Sequence, residues 1–118
     1  MNHQEIWETY VASWRTECVE KKKALFAQCL DANCLYHDPL AKTHGWEDLI
    51  EYMREFRKQI PGGHFVTKEF LAHGNKSIAR WVMRNGDHVV LGEGVSYAEY
   101  NNDGRLYEMT GFFQLPQE

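Results

Sequence analysis

Little in this chain narrows its function by itself. The three cysteines, Cys18, Cys29 and Cys34, are odd in number and have neither CxxC spacing nor a zinc-ligand rhythm. That pattern predicts buried, reduced thiols in a cytoplasmic protein rather than a disulfide framework. No stretch approaches the ~18 apolar residues of a membrane span, and Met1-Asn2-His3-Gln4-Glu5 is polar, with no charged start leading into an apolar run. A soluble, unsecreted protein without membrane contact is expected. Basic residues are scarce, 13 Lys and Arg against 17 Asp and Glu for a net charge of -4. The one basic run, Lys21-Lys22-Lys23, reads as a solvated helix face, so no nucleic-acid partner is expected. His44, His64, His73 and His88 show no two-histidine helical spacing and no clustering with carboxylates, so no metal is expected. Repeats, linkers and low-complexity tracts are missing as well.

What is present is the composition of a folded domain: 118 residues, 43% hydrophobic and 14% aromatic, read as a single domain over 1–118. From Gln4 to Trp14, the residues Ile6, Trp7, Tyr10, Val11 and Trp14 form one helical stripe. A less regular helical stretch runs through Lys23 to Leu30, and Asp31-Ala32-Asn33 is expected to break it. Cys34 to His37 reads as a short strand ending at Asp38-Pro39, since proline cannot donate to a ladder. The loop from Leu40 to Gly45 then leads to the best helix, with Trp46, Leu49, Ile50, Met53, Phe56 and Ile60 in register, Thr43 as expected N-cap and Pro61-Gly62-Gly63 as its end.

The remainder has the period of two of strands: His64 to His73, Lys76 to Arg84, His88 to Tyr100 and Arg105 to Leu115. Gly74-Asn75, Asn85-Gly86-Asp87 and Asn101-Asn102-Asp103-Gly104 punctuate them, and Asn85-Gly86 signals a tight hairpin, so an antiparallel meander is expected. Gly92-Glu93-Gly94 reads as a bulge bending the sheet. Alternation puts Ala79, Trp81 and Met83 on one face with Met109, Gly111 and Phe113, which has the character of a pocket wall. Ile78, Val82 and Phe112 fall on the other, and covering them calls for a partner subunit.

Asp38 is the acid that stands out. An acid where a strand meets proline suits a general base once buried; equally, Asp-Pro is ordinary turn chemistry. Gly94-Val95-Ser96-Tyr97-Ala98 lies inside a strand, so a hydrolase elbow is not expected.

Tyr36-His37-Asp38-Pro39 between the second and third helices, the Gly45-Trp46 helix start, Ser77-Ile78-Ala79-Arg80-Trp81, and Tyr100-Asn101-Asn102-Asp103-Gly104-Arg105-Leu106 followed by Gly111-Phe112-Phe113 together resemble the nuclear transport factor 2-like superfamily, in its SnoaL-like polyketide cyclase and ketosteroid isomerase-like branch. The resemblance implies an α+β, cone-shaped fold with three N-terminal helices on a strongly bent, mostly antiparallel sheet around an apolar pocket. It also implies a homodimer through the sheet's outer face. Carried over by position, Asp38 is the proton-shuttling carboxylate and Tyr10 the donor that stabilises the oxyanion; in the pocket of such a cone, Trp14, Tyr36, Trp81, Met83, Ser96, Met109 and Phe113 are the substrate-binding candidates. Ser96 stands where the isomerase pattern has a second acid, and Glu108 is the only acid on the last strand, on the face away from the pocket. An epoxide hydrolase-like Asp-Arg-Asp set would need Arg80 or Arg84, which point the wrong way. The implied function is cofactor-free proton transfer, of isomerase, dehydratase or cyclase type, on a small hydrophobic carbonyl substrate. The alternative is a non-catalytic ligand-binding or dimerisation module of the same fold.

Overall fold

The computed structural model describes residues 1–115. Helices α1 (His3–Ser13) and α2 (Val19–Cys29) precede strand β1 (Leu30–His37), the short β2 (Lys42–His44) and helix α3 (Gly45–Gln59). Strands β3 (His64–His73), β4 (Lys76–Arg84), β5 (Val90–Tyr100) and β6 (Leu106–Phe112) complete an α+β architecture of three helices on one six-stranded sheet, ordered β2-β1-β6-β5-β4-β3. The expected antiparallel meander is β3 to β6; β1 then joins β6 in parallel and is flanked by β2.

Local chemistry explains the boundaries. Asn2 and Glu5 form a capping box that starts α1 one residue before the expected Gln4, with the Glu5 amide 2.8 Å from Asn2 Oδ1. The expected break at Asp31-Ala32-Asn33 is corrected: α2 ends at Cys29, and those residues lie within β1, where pairing to β6 jumps between Leu30 and Leu35. Asp31 serves there as a hub, its side chain accepting from the Asn33 amide (2.7 Å) and the Asn101 side chain (2.8 Å). Thr43 is not the N-cap of α3. It belongs to β2, a strand the sequence reading took as loop, and His44 is the cap, its amide donating to Asp48 Oδ2 at 3.2 Å. The Asn85-Gly86 turn is wider than a two-residue hairpin. Asn85 Oδ1 accepts from the amides of Asp87 (2.9 Å) and Val89 (3.0 Å), so β5 begins at Val90 rather than His88. At the far end, β6 runs from Leu106 to Phe112.

Two glycines are fixed by close approach. Gly62 has φ +71°, and a Cβ there would lie 2.5 Å from Gly86 Cα, so the α3–β3 turn rests directly on the β4–β5 turn. A Cβ on Gly94 would lie 2.4 Å from the Trp81 ring and 2.6 Å from the Phe112 carbonyl oxygen. Gly94 pairs in register with Trp81, so its missing side chain seats the indole; the break in β4–β5 pairing falls between Met83 and Arg84, opposite Gly92.

The core gathers Ile6, Trp7, Tyr10 and Trp14 of α1, Phe26 and Cys29 of α2, Leu49, Ile50 and Met53 of α3, and Ala79, Ala98, Leu106 and Met109 of the sheet. Cys29 and Cys34 are buried and unbridged as expected, whereas Cys18 is exposed. Burial pushes the Cys29 thiol up to about 12. The expectation of a solvated Lys21-Lys22-Lys23 is corrected for its middle member: Lys22 is 1% exposed, with Nζ 3.4 Å from Met53 Sδ. No helix among the described residues is long and apolar enough to cross a membrane.

Candidate functional site

The end of β1 builds the site. His37 is the last strand residue, Pro39 has no N–H, and the chain turns so that the Asp38 amide donates to the Ala41 carbonyl at 2.9 Å. Asp38 Oδ1 accepts from the amides of Leu40 (2.7 Å) and Ala41 (2.9 Å), the bonds of an Asx turn. Asp38 Oδ2 is the acceptor for two phenols, Tyr36 at 2.5 Å and Tyr52 at 2.6 Å. Turn chemistry and site chemistry, alternatives at the level of sequence, thus occupy different oxygens of one carboxylate.

Tyr36 reaches Asp38 because residues two apart on a strand share a face. Its ring packs against Trp14 (centroids 5.7 Å apart) and Tyr52 (5.6 Å). Tyr52 comes from α3 on the row Leu49, Tyr52, Phe56, Gln59. Desolvation is the first cause that raises the pKa of both phenols above the ordinary 10.0, so both stay protonated donors at neutral pH.

Asp38 and its two tyrosines border a cavity of about 490 Å³ lined by Trp14, Tyr36, Asp38, Leu40, Tyr52, Glu55, Phe56, Gln59, Ile60, Phe65, Trp81, Met83, Gly92, Glu93 and Phe113. Seven of the fifteen lining residues are aromatic, and Trp14 meets Phe56 (5.5 Å) and Phe65 (5.3 Å) edge-on. Leu40, Glu55, Gln59 and Glu93 are exposed and form the mouth. A smaller space of about 40 Å³ lies alongside, sharing Trp14, Tyr36, Phe65 and Trp81 and adding Trp7, Tyr10, Val11, Ser96 and Gly111.

The structure therefore divides the residues that sequence reading grouped. Trp14, Tyr36, Asp38, Trp81, Met83 and Phe113 line the large cavity; Tyr10 and Ser96 line the small one. Tyr10 and Asp38 line different spaces, and the hydroxyls on the carboxylate belong to Tyr36 and Tyr52. Burial raises the Tyr10 pKa as well. Ser96 Oγ accepts from the Trp81 indole N–H at 3.0 Å. Met109 is 1% exposed within the packed core and lines neither space. Arg80 lies outside, against Glu69 at 3.2 Å.

Tyr52, Phe65 and the mouth residues escaped the sequence reading. The signal for Tyr52 was its three-and-four spacing with Leu49 and Phe56, hidden because a half-buried tyrosine was left out of the apolar stripe. Among the described residues, no group of three or more His, Cys, Asp or Glu side chains is placed to hold a metal ion.

An α+β domain whose sheet and helices enclose a ring-lined cavity around one strand-end carboxylate defines the class of protein to which this chain is compared. Residues 7–109 match the SnoaL-like domain, and the chain belongs to that family. Among solved structures, a candidate isomerase of the SnoaL-like family from Agrobacterium tumefaciens str. C58 is 28% identical, with 96% of this chain and 97% of that chain covered at TM-score 0.86. A candidate polyketide cyclase from Sinorhizobium meliloti superposes with TM-score 0.71 at 13% identity, covering 91% of this chain and 93% of that one. An NTF2-like protein from Exiguobacterium sp. 255-15 gives TM-score 0.72 at 15% identity over 94% and 99% of the two chains. The latter two share the fold alone. No curated protein matches the chain.

Proposed function

We propose that the protein catalyses cofactor-free proton transfer on a small hydrophobic carbonyl compound, with Asp38 as general base. The helices and bent sheet form a cone whose open end receives the substrate. The observation that carries this reading is the Asp38 carboxylate set in the wall of an aromatic-rich cavity of about 490 Å³. A carboxylate there removes the proton next to the substrate carbonyl, becomes a carboxylic acid, and returns the proton to another position. The enolate oxygen that develops needs a donor in a water-poor site. Tyr36 and Tyr52 are the phenols within reach, and Tyr10 joins them only for a substrate that extends past Tyr36 into the smaller space. The candidate isomerase among the structural neighbours supports the same reaction class.

The test is deuterium wash-in at the carbon next to the carbonyl, followed by NMR across a panel of ketones and esters that includes neutral members and members bearing an ammonium group. Wild-type protein is expected to exchange at least one member, and Asp38→Asn to slow that exchange by about 100-fold or more. Absence of exchange across the panel favours a non-catalytic, ligand-binding module. One observation favours that second reading: the four acceptor positions of the carboxylate already hold four protein donors, so a base must first release one.

A homodimer through the outer face of the sheet belongs to the same proposal, in a cytoplasmic protein. Leu71, Ile78 and Phe112 are exposed there, with Ile78 paired to Leu71 and, through β5, to Tyr97 beside Thr110. A Phe112→Glu variant that elutes as a smaller species than wild type is the expected result.

A further inference from the structure

The charges and rings of the cavity wall select the electrical character of what enters it. Among the described residues of its wall there is no Lys, Arg or His; the charged members are Asp38, Glu55 and Glu93. Glu55 and Glu93 are exposed at the mouth, where water screens them, and Glu55 also pairs with Lys58 at 3.2 Å, so the charge that counts is that of Asp38, half-buried in the wall. In the same wall stand the rings of Trp14, Tyr36, Tyr52, Phe56, Phe65, Trp81 and Phe113, and an aromatic ring carries negative potential on its faces.

Both Asp38 oxygens are occupied by protein donors. Oδ1 holds two amides and Oδ2 two phenols, which exhausts the roughly four lone-pair sites of a carboxylate. What remains for a ligand is the negative charge rather than free acceptor positions. An alcohol or amide, which needs an acceptor, gains little from such a group. An anion meets like charge in an apolar space with no counter-ion. A substituted ammonium, which needs a negative field and ring faces but few hydrogen bonds, is suited on every side.

We propose that this cavity takes an organic cation, a compound bearing a tertiary or quaternary ammonium beside an apolar body, held between Asp38 and the aromatic wall. This deepens the proton-transfer reading, on which it rests for the cavity and for Asp38: the substrate becomes a carbonyl compound that also carries a cationic nitrogen, and free acids are excluded.

The experiment is calorimetric titration with three probes of similar size: benzyltrimethylammonium, neutral 3-phenylpropan-1-ol and anionic 3-phenylpropanoate. The cation is expected to bind about tenfold tighter than the alcohol, with the anion weakest. Asp38→Asn is expected to remove most of that advantage while leaving the alcohol's affinity within about threefold of wild type. Trp81→Leu, which keeps the carboxylate and removes a ring, is expected to weaken the cation more than the alcohol. An alcohol that binds as tightly as the cation, a cation preference that survives Asp38→Asn, or no binding of any probe at millimolar concentration overturns the proposal. Turnover of neutral ketones without cation preference leaves proton transfer standing and sinks the charge selectivity. Cation preference without any exchange activity does the reverse.

Discussion

The two ends of the molecule mix rings and aliphatic side chains in different proportions, with Trp7, Tyr10 and Tyr100 among the rings buried in the core. Below Tyr36 the core is filled by Phe26, Cys29, Leu30, Leu49, Met53, Leu106 and Met109, each at most 1% exposed. Above it the wall is Trp14, Tyr52, Phe56, Phe65, Trp81 and Phe113, and 490 Å³ stays open between them. Aliphatic and sulfur side chains have several torsions with which to interdigitate, so they close space. Flat, stiff rings meeting edge-on, as Trp14 does with Tyr52, Phe56 and Phe65, brace one another and keep an opening. One helix serves both ends, with Leu49, Ile50 and Met53 in the filled half and Tyr52, Phe56, Gln59 and Ile60 at the cavity.

If that division is real, truncation has unequal effects. Phe26→Ala, deep in the filled half at 0% exposure, is expected to cost about 3–5 kcal/mol in urea unfolding. Phe113→Ala removes a ring already bordering open space and is expected to cost about 1 kcal/mol, since no new enclosed void is left behind. Equal losses would erase the distinction.

The same contrast explains what the sequence made legible. Strands β3 and β4 were readable to the residue because alternation and turn residues are local signals, and the stripe of α3 was readable for the same reason. The parallel β1–β6 pairing was not, because it joins segments about 70 residues apart and depends on the Leu30–Leu35 bulge. Of the site, the face shared by Trp81, Met83, Gly111 and Phe113 was visible in the alternation. The meeting of Asp38 with Tyr52 was not, because α3 alone says nothing about which strand end it covers. Burial of Lys22 was hidden by its two lysine neighbours, which suggested a solvated run.

A smaller effect sharpens the cavity side of the comparison. Gly94→Ala puts a Cβ where the Trp81 ring and the Phe112 carbonyl already stand. It is expected to destabilise by about 2–3 kcal/mol. Because the displaced indole also gives up its bond to Ser96, Trp81 emission is expected to change in the folded state, which a loss in the filled half does not produce.

Lys22 is the polar exception in the filled half, and its replacement is expected to run the other way. Burial lowers its pKa from 10.5 to about 8, with the nearby Arg57 charge adding to the effect. At pH 7 the folded protein carries this cation away from water with Met53 Sδ as its one side-chain partner among the described residues. Lys22→Met is expected to gain about 1–2 kcal/mol. Between about 8 and 10.5 the unfolded chain holds more protons at this residue than the folded one, so wild-type stability gains a contribution that rises with pH there. The Cys29 thiol, raised from 9.0 to about 12, contributes the opposite slope above pH 9. The informative quantity is therefore the difference between wild type and variant, which should shrink as pH rises from 8 to 10.5.

The smallest effects lie on the carboxylate and say most about how it is held. Tyr36 is 8% exposed, so Tyr36→Phe removes a hydroxyl that water cannot readily replace, and a loss of about 1 kcal/mol is expected. Tyr52 is half-buried at the cavity, and Tyr52→Phe should cost less because solvent reaches the vacated place. Both phenols donate to one oxygen, so either can hold Asp38 when the other is gone, and the double variant should lose more than the two single losses together. Simple additivity in a double-mutant cycle would mean that the phenols act independently, and the Asx turn alone would then be what fixes the carboxylate in the cavity wall.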